Sequence, residues 1–166
     1  MIANNLKSLK GFTLVELLVS IVIVAILSTI GLIVYSNFLR DARDGKRQSD
    51  LKIIQAGLEQ YYTDQFFYPN SPVSGAFPWG LALTSSTGTP TPPSPAKTYM
   101  NIVPTDPQPS PQPQYRYERQ PSTCDNSASN KCSGYCLYAK VENTTSAVNL
   151  SSCSDIAGYN YEVTLP

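Results

Sequence analysis

The chain has 166 residues, with 12 Lys plus Arg balancing 12 Asp plus Glu, and only 14% of its residues are charged, well below the roughly 25% of an average soluble domain. That balance gives no bulk attraction to nucleic acid or to an anionic surface. The sequence holds no His, which removes Ser-His-Asp and Cys-His catalysis and every His-containing metal site, and the length allows one modest domain plus an accessory segment.

Residues 17–39 form a run of 23 residues without a charge, broken only by Ser20, Ser28, Thr29, Gly31, Ser36 and Asn37. As a helix this run would be roughly 34 Å long at about 1.5 Å per residue, enough to cross a bilayer core of roughly 30 Å. It is apolar all round, so it must be buried in lipid or among partner helices. Lys7 and Lys10 precede it, as in a secretory signal, but no A-x-A cleavage site follows and the run is longer than a usual signal core. An uncleaved signal anchor is the simpler alternative. Neither accounts for Glu16, a carboxylate at the edge of the apolar run, where lipid makes charge expensive. Thr13-Leu14-Val15-Glu16 also fits a capping box, in which Glu16 satisfies amides at the helix start.

The stretch Lys10-Gly11-Phe12-Thr13-Leu14-Val15-Glu16-Leu17-Leu18-Val19 resembles the leader junction of type IV pilins and of the pseudopilins of type II secretion systems. The resemblance implies that a membrane-embedded prepilin peptidase cuts after Gly11 and methylates the new terminal amine of Phe12, and that the apolar helix is retained. It implies that Glu16 pairs with the terminal amine of a neighbouring subunit in a filament of identical copies, extruded by an inner-membrane assembly platform with a cytoplasmic ATPase. A second block, Asp50-Leu51-Lys52 through Ala56-Gly57-Leu58, then Tyr61-Tyr62-Thr63-Asp64 and Tyr68-Pro69, resembles the end of the long helix and the entry to the head in major pseudopilins and pilins close to them. The fold it implies is α+β and pilin-like: a leader (1–11), a transmembrane or filament-core helix (12–39), a helix continuation on the head (40–62) and an exported head (63–166). The helix-breaking Pro that many type IV pilins carry early in this helix is missing, and Ser28-Thr29-Ile30-Gly31 stands there instead.

The residues alone support that layout. Residues 40–52 hold five basic and three acidic side chains, with Arg40–Asp44 and Lys46–Asp50 at i, i+4 spacing, which reads as a solvated helical stretch. From Leu51 the pattern becomes a one-sided stripe of Leu51, Ile54, Leu58 and Tyr61 or Tyr62 that needs a sheet to lie on. Gly31, Gly45 and Gly57 are the helix's weak points. Residues 68–95 are rich in Pro, Ser, Thr and Gly, and 84–95 read as a mobile surface loop open to O-linked sugars. Asn143 and Asn149 begin N-x-[ST] sequons. Residues 104–113 should run extended. Strands are expected over 114–119, 134–142 and 158–165 as an antiparallel meander, with Leu137, Ala139 and Val141 facing the helix stripe.

Cys124, Cys132, Cys136 and Cys153 lie in the head region, even in number and separated by 7, 3 and 16 residues. They read as two disulfides, since a four-thiolate zinc site would have only one C-x₂₋₄-C pair. Local closure favours Cys124–Cys132 with Cys136–Cys153 among three possible pairings. Paired thiols put the head outside, although counting Lys and Arg alone would leave residues 40–52 in the cytoplasm. From residue 63 onward five basic residues face seven acidic ones, so nucleic acid is not an expected partner even with Arg116 between Tyr115 and Tyr117. Asp155, Ser152 and Ser154 are too thin an oxygen cluster to assign calcium; no metal and no cofactor is expected. A hydrolase using Glu118 and Glu142 rests on no motif. The expected role is a structural subunit of a pilus-like filament, first held in the cytoplasmic membrane with its head outside. A secretion pseudopilin and a membrane-anchored adhesin are the alternatives.

Overall fold

A computed structural model describes residues 11–70, 77–88, 94–108, 115–143, 153 and 156–165. The chain divides into two compact units, Met1–Leu39 and Arg40–Pro166, and one helix, α1 (Leu14–Gln65), contributes to both. In the first unit the described residues are the start of α1 and the three residues before it.

The second unit is an α+β head. Leu51, Ile54, Leu58 and Tyr61 recur every three or four residues on one face of α1 and are fully buried, the stripe that a helix lays against a sheet. Two antiparallel sheets cover the helix. The smaller pairs β1 (Leu83–Thr84) with β2 (Thr98–Met100). The larger is a meander of β3 (Arg116–Gln120), β4 (Gly134–Ala139) and β5 (Tyr161–Thr164) in the order β3-β4-β5. Its register aligns Tyr117, Leu137 and Val163 across the three strands, and Leu137 and Ala139 join the helix stripe in the core. β4 is buried on both faces, since Tyr138 is covered by Tyr159 with ring centroids 5.8 Å apart and Cys136 is bridged to Cys153.

β4 ends earlier than the alternation suggests, and side chains are the cause. The Val141 amide donates to Asn160 Oδ1 at 2.7 Å and Asn160 Nδ2 returns a bond to the Val141 carbonyl at 3.0 Å, so an asparagine replaces the next ladder partner. The core is rich in tyrosine because each buried hydroxyl finds an acceptor. Tyr68 and Tyr135 both donate to Glu59, at 3.0 and 2.8 Å, and Tyr117 donates to the Pro69 carbonyl at 2.7 Å.

Two expectations are corrected here. The segment expected to be a mobile loop from residue 84 is, up to Gly88, a packed turn following β1. Ser85 is buried, Tyr61 donates to the Thr87 carbonyl at 3.0 Å, and the Asn126 side chain donates to the Gly88 carbonyl at 3.1 Å. Gly88 has φ +64° and a Cβ there would lie 2.6 Å from the Asn70 nitrogen, so only glycine lets the backbones approach this closely. Gly57 is likewise a packing position, where the Met100 side chain of β2 comes against the helix.

The second correction concerns residues 40–52, which are not a solvated set. Asp44, Arg47 and Asp50 are buried. Lys46 does pair with Asp50 at 3.2 Å, but Asp44 receives Arg47 at 2.8 Å and the backbone amides of Glu142 and Asn143 at 2.9 and 2.8 Å. The Arg47 side chain is 1% exposed; it reaches Asp106 through Nε at 2.8 Å and Nη2 at 3.1 Å, and Glu142 through Nη1 at 2.9 Å. Arg43 forks onto both oxygens of the same Glu142 at 2.6 Å. Burial disfavours the Arg47 charge, yet its bonds to Asp106, Glu142 and Asp44 outweigh that and raise its pKa.

Within this lock the bond from Arg43, reinforced by Arg47, lowers the Glu142 carboxyl to about 2 against the partial burial that would raise it. A carboxylate depressed in the folded state stabilises above its ordinary value and loses that contribution as pH falls through the depressed one. Thermal melts of the full chain in detergent should therefore show head stability declining from about pH 4.5 down to about pH 2. Glu142→Gln should remove up to about 3 kcal/mol at neutral pH and flatten that decline. An unchanged acid profile in the variant would show that Glu142 does not hold the helix to the head.

Candidate assembly site at the leader junction

Thr13 and Glu16 build the start of α1. The Thr13 amide donates to Glu16 Oε2 at 2.9 Å, the Thr13 hydroxyl donates to the same oxygen at 2.8 Å, and the Glu16 amide donates to Thr13 Oγ1 at 3.2 Å. This is a reciprocal capping box. Both of these bonds to the carboxylate fall on Oε2, and among the described residues none is recorded on Oε1. Gly11 and Phe12 precede the helix and belong to no helix or strand; nothing lies within 4 Å of where a Gly11 Cβ would be, and Phe12 is 86% exposed. Among the described residues, therefore, nothing covers the Gly11–Phe12 bond.

Beyond the box, the helix up to Leu39 has no core of its own. An 18-residue stretch of α1 with mean hydropathy 3.0 has none of its residues buried. The few hydroxyls do not make this surface polar, because Ser20, Ser28 and Thr29 donate back to the carbonyls of Leu17, Val24 and Ile26 at 2.7–2.8 Å. With its backbone bonds closed within the helix and its hydroxyls turned inward, the segment meets the requirement for lying in hydrocarbon.

The remaining sequence candidates have structural roles. Cys124 is joined to Cys132 and Cys136 to Cys153, with Cα atoms 5.1 and 6.2 Å apart. Arg116 is held by Glu118 at 2.7 Å and is not poised to stack on a base. Glu118 and Glu142 sit in separate ion pairs, with Arg116 and with Arg43 plus Arg47. Asn143 binds Asp41 at 3.1 Å through its side-chain amide. Ser152, Ser154, Asp155 and Asn149 lie outside the described residues. The Arg47 lock went unread in the sequence, although a signal existed: Asp44 and Arg47 continue the helical phase of Leu51, Ile54, Leu58 and Tyr61, which places them on the buried face.

Residues 6–32 match the family model for the prokaryotic N-terminal methylation motif. The chain carries a prepilin-type leader. No curated protein and no solved structure matches it. The prepilin-type leader marks the chain for processing by a prepilin peptidase and for assembly into a filament, and with the exposed apolar helix it fits a protein first anchored in a membrane.

Cleavage after Gly11 would remove Lys7 and Lys10 and leave 155 residues with 10 basic against 12 acidic side chains. Intact mass and N-terminal sequencing of membrane-fraction protein should give a chain beginning at methylated Phe12. A chain beginning at Met1, or cut after Ala25, would contradict this use of the leader.

Proposed function

We propose that this chain is a structural subunit of an extracellular type IV pilus-like filament, stored in the cytoplasmic membrane with its head outside and polymerised through residues 12–39. The observation that carries the reading is the unpartnered apolar start of α1 with a single carboxylate, Glu16, at its entrance. Identical helices that bury this surface against one another exchange lipid for protein at little hydrophobic cost, and packing selects the arrangement. A charge carried into such a core needs a partner. Glu16 supplies the negative charge and the Phe12 amine of a neighbouring copy the positive one. The role is structural and not catalytic, and extrusion falls to an assembly platform driven by a cytoplasmic ATPase.

A second reading, a pseudopilin of a type II secretion system, draws on Tyr61 to Asp64 and Tyr68-Pro69. Tyr61 and Tyr68 are buried in the head, and Asp64 pairs with Lys97 of the segment leading into β2, so this block serves head packing under either reading. Chain deletion separates the two. Loss of surface fibres with normal protein export supports the pilus, and retention of exported proteins in the envelope supports the pseudopilus.

Glu16→Gln tests the assembly role directly. A glutamine fits the same capping box, so a role confined to capping, worth about 1 kcal/mol, predicts little change. An inter-subunit ion pair predicts loss of sheared filaments with normal membrane insertion and cleavage, because an unpaired buried amine carries a penalty of about 3 to 5 kcal/mol per interface. Normal filament yield would remove the ion pair from the mechanism.

A further inference from the structure

Two features of the head are unexplained by its own folding. Phe66 directly follows α1 with φ 60° and is 77% exposed, while Phe67 next to it turns inward to pack edge-on against Tyr61. The left-handed position after a helix ordinarily goes to Gly or Asn, and a bulky aromatic there is strained. An aromatic ring in that place, pointing away from the core, contributes nothing to the monomer that a smaller residue would not.

Elsewhere in the head a cavity of about 90 Å³ is lined by Trp79, Thr105, Asp106 and Tyr115, and its walls are almost wholly apolar. Two of its polar groups are already committed, with Asp106 bound to Arg47 and the Tyr115 hydroxyl donating to Asp50 at 2.9 Å. Water needs several polar partners to sit well in such a space, and here it finds few. The cavity is flanked by exposed aliphatics. Trp79 bridges to Val103, the Val103 amide donates to the Leu81 carbonyl at 2.8 Å, and Leu81 and Ile102 are 68% and 67% exposed.

Asp106 binds Arg47 and Tyr115 binds Asp50, so this wall of the cavity stands beside α1 at Asp50, roughly 24 Å along the helix from Phe66 at about 1.5 Å per residue. From these positions we infer that Phe66 of one copy inserts into the Trp79–Tyr115 cavity of a second copy displaced along the helix axis, with Leu81 and Ile102 sealing the rim. The contact joins two different surfaces of the same chain. Such a heterologous contact does not close on itself as a twofold dimer does, and when repeated it builds an open helix. It rests on the filament reading and gives that filament a head-to-head contact beside the one made by the apolar helices.

The test replaces Phe66 by a benzophenone-bearing phenylalanine in the full chain, irradiates intact cells and maps cross-linked peptides from sheared filaments. The expected product joins position 66 to residues 79–115 of a second copy, and it disappears in the Glu16→Gln background. Phe66→Ser is expected to lower filament yield about tenfold, as for an aromatic anchor at an interface. Membrane-fraction monomer and cleavage should be unchanged, because the side chain is exposed, and Phe66→Leu should keep most of the yield. Filaments that form normally with Phe66→Ser, or cross-links confined to one chain or reaching another protein, would overturn the contact and leave the filament reading standing. Cells that make the wild-type chain but no filament of it would overturn both.

Discussion

Burying a guanidinium forfeits several kcal/mol of hydration, and the head is arranged so that Arg47 recovers it. Asp44 comes from the preceding helical turn, Asp106 from the segment after β2 and Glu142 from the segment after β4. One side chain thereby ties α1 to two distant parts of the chain. Removing any one carboxylate leaves a buried positive charge short of a partner, a far larger loss than an exposed salt bridge would cause. The lock also sets the register of helix on sheet. With Arg47 fixed, Leu51, Ile54, Leu58 and Tyr61 fall in phase beneath Leu137 and Ala139.

Behind that lock the head follows one rule, that tyrosine supplies bulk to the core while its hydroxyl meets an acceptor at the edge. Tyr115 on Asp50, Tyr117 on the Pro69 carbonyl, and Tyr68 with Tyr135 on Glu59 are instances of it. Two disulfides tie the loops that such a small core could not hold, each contributing about 2 to 4 kcal/mol by the usual measure. The start of α1 obeys the opposite rule. It has apolar side chains on every face and no core, so its stability must come from lipid or from copies of itself.

Local signals were legible in the sequence and long-range ones were not. The capping box, the apolar run, the Leu51 stripe and the meander each depend on residues a few positions apart, and propensity and period suffice for them. Arg47 escaped because its partner Asp106 is 59 residues away, and i, i+4 spacing offered Arg40 as the neighbour of Asp44 instead. The turn of residues 84–88 escaped for a related reason. Its Ser, Thr and Gly composition is that of a loop, and only contact with Tyr61, Asn70 and Asn126 makes it part of the core. Composition reports how a segment meets water, whereas burial of a polar segment depends on partners that arrive from elsewhere in the chain.

On the proposed reading, the unpartnered start of α1 is the interior of a filament. A helical reconstruction by electron cryo-microscopy of fibres sheared from cells measures this directly. Residues 12–39 of many copies should pack around the axis, with the Glu16 carboxylate beside a Phe12 amine of another copy and the disulfide-bonded heads outside. Fibres without this chain, or with the heads on the axis and the apolar helices outermost, would contradict it.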